Sequence, residues 1–467
     1  MASETEHGGD IHVLLLPYPS QGHINPMLQL GKRLVAAGAG SVRCTLAITP
    51  YLLMGQRRDP CSGDVHLAEI SDGYDKGGFL EAGCDVAAYL ARLESAGSST
   101  LEGLLRSEAE QGRQVSAVVY DAFLQPWAPG VARRRGAACA CFFTQAPAVN
   151  LAYAHAGRAG RMEEQPGLPS GLLKPEDLPS FLTAPDECPA YLDLLLSQFV
   201  GLDAVDHVLV NSFHELQPLE SEYMASTWGA KTVGPTVPSA YLDNRVPGDV
   251  SYGFNLHTAP TAMTKAWLDA KPPRSVVYVS FGTIAAPGPA QMAEMAEGLG
   301  SSGKAFLWVV RASETSKIPD GFADRIGERG LIVPWAAQLE VLAHAAVGCF
   351  VTHCGWNSTT EALCAGVPMV AVPQWSDQPT NAKYIQDVWR VGVRARPDKE
   401  GVVRSEEVER CVTEVMGDDK YARNASDWRE KGKRAMGQGG ISDKNIMEFL
   451  HQLRSTPSEL AMELAIE

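Results

Sequence analysis

The sequence predicts an α/β protein with two doubly wound domains. Short apolar runs of strand length alternate with longer stretches of helical periodicity, the pattern of parallel sheets covered by helices. This series starts twice, near residue 11 and near residue 275, and residues 236–262, rich in Pro, Asn, Asp and Gly, interrupt it. A chain of 467 residues is also too long for one ordinary core. We therefore expect an N-terminal domain at 1–245 and a C-terminal domain at 246–440.

The first series begins with an apolar run at 11–16, a polar loop that carries His23, and a helical pattern through Leu34. Further strands are predicted at 42–48, 65–70, 116–121, 138–143 and 207–212, and helices at 86–111 and 124–135. Residues 158–185 are rich in Gly, Pro and charge and are predicted to form a mobile loop. In the second series, strands are predicted from Ser275 into the loop at Gly282, and at 305–310, 347–351 and 367–372. Helices follow at 405–416, 420–436 and 441–454.

Composition and charge exclude several classes of protein. A net charge of −15 and a pI near 5.3 argue against binding to nucleic acid or to anionic membrane surfaces. The ten cysteines include no C-x-x-C pair, which disfavours zinc and thioredoxin-like sites. The first ten residues carry no apolar signal region, and no apolar stretch is long enough to span a bilayer. We expect a cytoplasmic protein, and a monomer.

Polar clusters follow the apolar runs at 347–351 and 367–372. The first cluster leads from His353 into a helical pattern, and Ser358 with Glu361 three residues later forms a predicted capping box. The second cluster includes Asp377 and Gln378. Because the two runs are expected to be neighbouring parallel strands, both clusters should lie at the ligand-binding edge of the sheet. A helix N-terminus there would bind an anion, and a diphosphate fits it well.

Residues 335–378, from Trp335-Ala-Ala-Gln338 through His353-Cys-Gly-Trp-Asn-Ser358 to Gln374-Trp-Ser-Asp377-Gln378, resemble the signature box of plant family 1 glycosyltransferases. Members of this family use UDP-sugars to glycosylate small molecules. The resemblance implies the GT-B fold, two Rossmann-like domains facing across a cleft. It also implies that the last helix, within 441–467, packs back on the N-terminal domain.

The resemblance also implies a donor site. Trp335, with the backbone of Ala336, would stack on uracil, and Gln338 and Glu361 would hold the ribose. The diphosphate would lie against His353, Gly355, Asn357 and Ser358. The sugar would be held by Asp377, Gln378 and the backbone of Trp356, and Gln378 favours glucose. Thr283 and Thr144 are also expected to face the donor.

His23 and Asp121 match the catalytic positions of the family. An imidazole can accept the acceptor's proton, and an Asp that binds its far ring nitrogen fixes the tautomer. The expected reaction inverts the anomeric carbon, and the absence of a D-x-D motif fits metal independence. Simpler interpretations stay open: Asp121 could only cap the next helix, and the predicted capping box explains Glu361 and Ser358 without a ligand.

The acceptor is the least defined part of this prediction. Mostly apolar candidates should line its pocket: Tyr18, Phe123, Leu124, Gln145, Phe199 and Trp375. The chain looks like grass enzymes that glucosylate phenolics, hormone acids and trichothecene mycotoxins. We favour O-glucosylation of a trichothecene-type alcohol in detoxification. Phenolic or hormone acids, flavonoids, and a non-catalytic UDP-sugar sensor remain as alternatives.

Overall fold

The structure is a computed structural model that describes residues 11–54, 65–159, 168, 171–254 and 260–455. It divides into two compact units. Unit 1 contains Met1–Leu168, Asp186–Leu256 and Ala435–Glu467, and unit 2 contains Pro169–Pro185 and His257–Arg434. The chain thus changes units about ten residues after the predicted boundary, and residues 171–185 of the predicted first domain pack within unit 2.

A fully parallel sheet forms the centre of unit 1. In the described residues its strands are β1 (Ile11–Leu16), β2 (Val42–Ile48), β3 (Val65–Glu69), β4 (Ala117–Asp121), β5 (Ala138–Phe143), β6 (His207–Val210) and β7 (Lys231–Thr232). Their order across the sheet is β3-β2-β1-β4-β5-β6-β7. The central strands are buried on both faces, as continuous apolar runs require.

Unit 2 contains a second parallel sheet. Its described strands are β8 (Val276–Ser280), β9 (Ala305–Val309), β10 (Gly330–Val333), β11 (Val347–Thr352), β12 (Met369–Ala371) and β13 (Gly392–Arg394). Their order is β10-β9-β8-β11-β12-β13, so β11 and β12 are parallel neighbours, as predicted. Each unit is thus a doubly wound α/β unit with one parallel sheet, as predicted.

Helices cover both sheets. In unit 1 they are α1 (Gln21–Gly38), α2 (Pro50–Met54), α3 (Val86–Glu110), α4 (Ala128–Arg134), α5 (Pro147–Ala159), α7 (Pro189–Ser197), α8 (Pro218–Trp228) and α17 (Ile441–Ser455). In unit 2 they are α6 (Ser180–Thr183), α9 (Thr261–Asp269), α10 (Pro289–Ser301), α11 (Phe322–Ile326), α12 (Gln338–Leu342), α13 (Trp356–Ala365), α14 (Gln378–Lys383), α15 (Ser405–Gly417) and α16 (Asp419–Met436), whose last two residues belong to unit 1. None of the helices in the described part of the chain combines the length and hydropathy needed to cross a bilayer.

Most predicted elements are confirmed, with two informative differences. Residues 122–124 form a 3₁₀ turn and α4 starts only at Ala128, because Pro129 suits the first turn of a helix and not its interior. The described part of the predicted loop 158–185 contains the end of α5, a 3₁₀ turn at Pro175–Asp177 and α6. Residues 160–167 and 169–170 of that prediction lie outside the described residues.

The strand order reverses once in each sheet, and these points position the polar residues. In unit 1 the reversal lies between β1 and β4, which are parallel neighbours. In unit 2 it lies between β8 and β11. Loops that leave the carboxyl ends of such strand pairs diverge to opposite sides and open a crevice, where open α/β sheets bind ligands.

Candidate active site

His23 and Asp121 meet at the switch point of unit 1. His23 lies in the first turn of α1, not in the loop before it, and Asp121 is the last residue of β4. Its Oδ2 is 2.7 Å from Nδ1 of His23, and the Asp121 side chain has no exposed surface. Asp121 also caps the following turn, since Oδ1 accepts the N–H of Phe123 at 3.0 Å. One oxygen of Asp121 therefore caps the turn and the other contacts His23, so the capping and orienting interpretations are compatible.

Thr144 follows β5 and reaches the same imidazole. Its Oγ1 is 3.2 Å from Nδ1 of His23, so this nitrogen lies between a carboxylate and a hydroxyl. When Nδ1 donates to Asp121, Nε2 is left as the ring's proton acceptor. The sequence assigned Thr144 to the donor sugar, and that contact stays a prediction.

Aromatic rings surround His23. The Tyr18 and Phe123 rings lie 5.3 and 4.8 Å from the imidazole, centroid to centroid. Tyr89 packs edge-on against Tyr18 at 6.4 Å, and Tyr74 stacks on Tyr89 at 5.7 Å. Tyr18 and Phe123 were predicted to line the acceptor pocket. Together with Tyr74 and Tyr89 they form a group of rings that we call the aromatic wall.

Polar groups are built into this wall. The hydroxyl of Tyr89 donates to Oδ2 of Asp72 at 2.9 Å, and Asp72 is 1% exposed. The hydroxyls of Tyr18 and Tyr191 form a hydrogen bond, and burial raises the pKa of Tyr18 well above its usual value. The phenol of Tyr18 is therefore neutral and can only exchange hydrogen bonds.

The remaining predicted acceptor residues are dispersed. Leu124 is buried and lines a small pocket at the ends of β1, β2 and β3. Phe199 stacks on Phe143 at 5.5 Å, and Gln145, beside Thr144, keeps its Oε1 buried without a partner in the described structure. Trp375 belongs to unit 2. Their contacts with an acceptor stay predictions.

In unit 2, α13 begins earlier than predicted. Its N-cap is Gly355 and its first residue is Trp356, with no side-chain cap. The predicted capping box is therefore wrong, because Ser358 and Glu361 both lie inside the helix. As a result, the helix N-terminus lies at Trp356, directly after Gly355, and a helix N-terminus favours an anion.

The His353 ring lies between two glycines at this helix start. A Cβ at Gly282 would lie 2.7 Å from the ring and one at Gly355 only 2.6 Å, so neither position accepts another residue without movement. Burial lowers the pKa of His353 to about 4, despite a hydrogen bond with the Ser280 backbone. Its Nδ1 is buried and has no partner within the described structure. His353 is thus a neutral imidazole with one unused polar atom.

Gln338 contacts Glu361, which is predicted to hold the ribose with it, and Ser358, which is predicted to contact the diphosphate. Its Nε2 donates to Oγ of Ser358 at 2.9 Å and to Oε2 of Glu361 at 2.7 Å, and its Oε1 accepts from the Tyr278 hydroxyl at 3.2 Å. The ribose candidates therefore form one hydrogen-bonded group. Trp335, also predicted for the donor site, is half-buried just before α12, beside buried Ala336.

Residues 374–378, which we call the sugar loop, follow β12. Oε1 of Gln378 accepts the N–H groups of Gln374 and Trp375 at 2.8 and 3.1 Å, so only its Nε2 remains to donate to a ligand. Asp377 accepts from Nδ2 of Asn381 at 2.7 Å, and the same nitrogen donates to the Cys354 carbonyl at 2.9 Å. Asn381 thereby links the sugar loop to the start of α13.

Thr283 is exposed in the loop after β8, and its carbonyl accepts from Arg311. Arg311 also donates to the Ala285 carbonyl at 2.8 Å and further lowers the pKa of His353. The sequence did not single out Arg311, because its partners are backbone carbonyls that no motif records.

Comparison with known proteins identifies the family. The family described as UDP-glucoronosyl and UDP-glucosyl transferase matches residues 253–429. UDP-glucosyltransferase UGT13248 of Hordeum vulgare subsp. vulgare is 49% identical over 95% of this chain and 94% of its own length. UDP-glycosyltransferase 79 of Oryza sativa subsp. japonica is 48% identical over 94% and 96%. This chain is a plant family 1 UDP-glycosyltransferase.

Solved structures agree with this assignment. The crystal structure of Os79 from O. sativa in complex with UDP superposes on this transferase with a TM-score of 0.89, at 47% identity over 94% of this chain and all of that one. A second Os79 structure, with U2F and trichothecene, has a TM-score of 0.86 at 46% identity and the same coverage. The transferase is therefore an enzyme that uses a UDP-sugar and a small-molecule acceptor, and the sensor alternative loses its support.

Proposed function

We propose that this transferase moves glucose from UDP-glucose to a hydroxyl of a neutral, hydrophobic small molecule, with inversion at the anomeric carbon. The observation that carries the proposal is the 2.7 Å contact between His23 and a fully buried Asp121. A buried carboxylate stabilises the imidazolium that forms when a base takes a proton. A histidine with only a structural role would not need a buried carboxylate, because removing a charged group from water destabilises the fold.

In the proposed reaction, the acceptor oxygen attacks the anomeric carbon as Nε2 of His23 takes its proton. The new carbon–oxygen bond forms on the face opposite to UDP. The bond between the anomeric carbon and the diphosphate breaks, and UDP leaves with the electron pair. After product release, the proton passes from Nε2 to water.

On the donor side, we propose that the diphosphate is stabilised by protein dipoles and not by a metal ion. The N-terminus of α13, which begins at Trp356 directly after Gly355, supports this proposal, because the positive end of a helix dipole attracts an anion. Chelation by EDTA should therefore leave the rate unchanged. A requirement for added Mg²⁺ or Mn²⁺ would contradict this part of the proposal.

On the acceptor side, the aromatic wall favours neutral, oxygenated acceptors. Hydroxyl groups of Tyr18, Tyr89 and Tyr191 can exchange hydrogen bonds with acceptor oxygens, whereas the buried carboxylate of Asp72 repels an acceptor carboxylate. Arg92 lies against Gly73, but it is exposed and water screens its charge. The Os79 structure with trichothecene supports a trichothecene-type alcohol as the acceptor. Neutral flavonoids remain the second candidate, ahead of phenolic or hormone acids.

The test is UDP release from UDP-glucose with a trichothecene alcohol, a flavonol and salicylate, each with and without EDTA. We expect fastest turnover on the trichothecene, slower turnover on the flavonol and least on salicylate. Product analysis should give the β-glucoside from the α-linked donor. Preferred turnover of salicylate would overturn the acceptor class, and an α-glucoside would overturn the single inverting step.

A further inference from the structure

The described part of a segment that precedes α7, residues 171–185, packs on the sugar loop. We call this segment the strap. It belongs to unit 2, although the chain on both sides of it belongs to unit 1. Phe181 of the strap is 5% exposed and meets the Trp375 ring edge-on at 5.6 Å. The strap therefore supports a loop that lies almost 200 residues later in the chain.

Asp177 anchors the strap. Its side chain is 5% exposed, and Oδ1 lies 2.7 Å from the guanidinium of Arg394 while Oδ2 lies 3.5 Å from the Lys383 ammonium. Its backbone carbonyl accepts from the hydroxyl of Thr380 at 2.7 Å. Lys383 and Thr380 belong to α14, the helix that starts with Gln378 of the sugar loop. A buried carboxylate with two cationic partners holds its position firmly, since separation would leave it unpaired.

Ser180 makes the second connection. Its backbone N–H donates to the Ser376 carbonyl at 2.9 Å, and its Oγ accepts the Ser376 N–H at 2.7 Å. Ser376 has a φ of +59°, in the left-handed region that residues other than glycine rarely adopt. Both backbone groups of a strained residue are thus held by one serine of the strap.

We infer that the strap, through Ser180 and Asp177, positions the sugar loop and thereby determines how well the donor sugar is held. Ser376 lies directly before Asp377, so its backbone conformation sets the direction of the Asp377 side chain and of the start of α14. This inference rests on the proposed function and, within it, on the predicted role of Asp377 and Gln378 in binding glucose. Ser180 and Asp177 are positioning residues, since they act through Ser376 and α14.

The inference makes a selective prediction about nucleotides. UDP lacks the sugar, so it should bind equally well when the strap is weakened, whereas UDP-glucose should bind less well. The variant Ser180→Ala removes the Oγ acceptor and should raise the dissociation constant of UDP-glucose about threefold to tenfold, the range of one neutral hydrogen bond. Ser180→Thr keeps the hydroxyl and should bind UDP-glucose as the wild type does. Asp177→Asn should change UDP-glucose binding in the same direction as Ser180→Ala.

The experiment is calorimetric titration of the full-length protein with UDP and, separately, with UDP-glucose in the absence of acceptor. Ser302→Ala is the matched control, because it removes a serine hydrogen bond of 2.7 Å at the end of α10, with no part in the sugar loop. The melting temperature of Ser302→Ala should show how much stability is lost with such a hydrogen bond. The affinities of this variant for UDP and UDP-glucose should match those of the wild type.

Loss of UDP-glucose affinity with unchanged UDP affinity would support the inference. Equal losses for both nucleotides, or no loss for either, would overturn it, because the strap would then only stabilise unit 2 or contribute nothing. These outcomes are separate from the proposed function, since binding needs no turnover. If Asp377→Ala weakened UDP-glucose binding while Ser180→Ala and Asp177→Asn did not, the sugar loop would keep its proposed role and only the strap inference would fail.

Discussion

The substitution Asp121→Asn tests the proposed chemistry most directly. Asn has the shape of Asp, and its Oδ1 can still accept the N–H of Phe123, so the turn after β4 should persist. The other end becomes an NH₂ group 2.7 Å from Nδ1 of His23. An amide N–H there favours the tautomer in which Nδ1 accepts and Nε2 carries the proton, and that tautomer cannot act as a base.

The size of the effect follows from the geometry. In the transition state His23 gains a positive charge whose centre lies about 4 Å from the Asp121 carboxylate, an interaction of about 4 kcal/mol at an effective dielectric constant near 20. At ~1.4 kcal/mol per factor of ten, loss of this interaction lowers kcat about 10³-fold. The wrong tautomer acts in the same direction, so a loss of about 10²- to 10⁴-fold brackets the expectation.

The assay is UDP release at saturating UDP-glucose, with UDP affinity measured alongside. Asp206→Asn is the control in the same unit, because Asp206 accepts the Cys139 N–H at 2.8 Å and has no contact with His23 in the described structure. We expect wild-type turnover for the control and unchanged UDP affinity for both variants. If Asp121→Asn kept more than a tenth of the wild-type kcat, the assignment of His23 as an oriented base would be refuted.

Three further perturbations test neighbouring groups. Thr144→Val removes the 3.2 Å contact with Nδ1 of His23. It should lower kcat about twofold to tenfold, with little change in the KM of UDP-glucose. A change confined to KM would instead favour the predicted contact of Thr144 with the donor sugar. Asp72→Asn removes a buried negative charge, so kcat/KM for salicylate relative to a trichothecene alcohol should rise at least about threefold, and an unchanged ratio would contradict the acceptor proposal. Burial lowers the pKa of His353 from 6.5 to about 4. As the pH falls, the unfolded chain therefore binds a proton at His353 before the folded protein does. The free energy of unfolding should therefore fall between pH 6.5 and 4, by at most about 3 kcal/mol from this group. Urea titrations of His353→Gln should show a flatter pH dependence, and an unchanged pH dependence would contradict this prediction.

The sequence predicted the strand positions well because buried parallel strands are continuous apolar runs. The predicted strands at 11–16, 42–48 and 138–143 coincide with β1, β2 and β5. The paired position of His23 and Asp121 also agrees with the pattern. His23 lies in the helix that follows β1 and Asp121 ends β4, and a doubly wound order makes these two strands neighbours. Local signals were less reliable at the start of α13. Ser358 and Glu361 fit a capping box by spacing, but Gly355 ends the loop and the helix begins before them.

The parts that escaped the sequence depend on long-range contacts. Nothing local distinguishes Tyr89 from other apolar positions of α3, and only the fold brings it to Asp72 and Tyr18. The strap has the composition of a loop, so its polar residues suggested exposure. Asp177 is nevertheless buried, because its cationic partners Arg394 and Lys383 come from the far end of the chain. Spacing along a sequence cannot report such partners.

The proposed donor site is built from dipoles more than from charges, which would allow an acidic protein to bind an anionic donor. The imidazole closest to the start of α13 is neutral near pH 7, because burial has lowered the pKa of His353 to about 4. The guanidinium of Arg311 is already held by the carbonyls of Thr283 and Ala285. In the proposed complex, the remaining attraction comes from the N-terminal dipole of α13, which acts at short range. The net charge of −15 acts over longer distances, where salt screens it within about 8–10 Å, so it opposes donor binding only weakly.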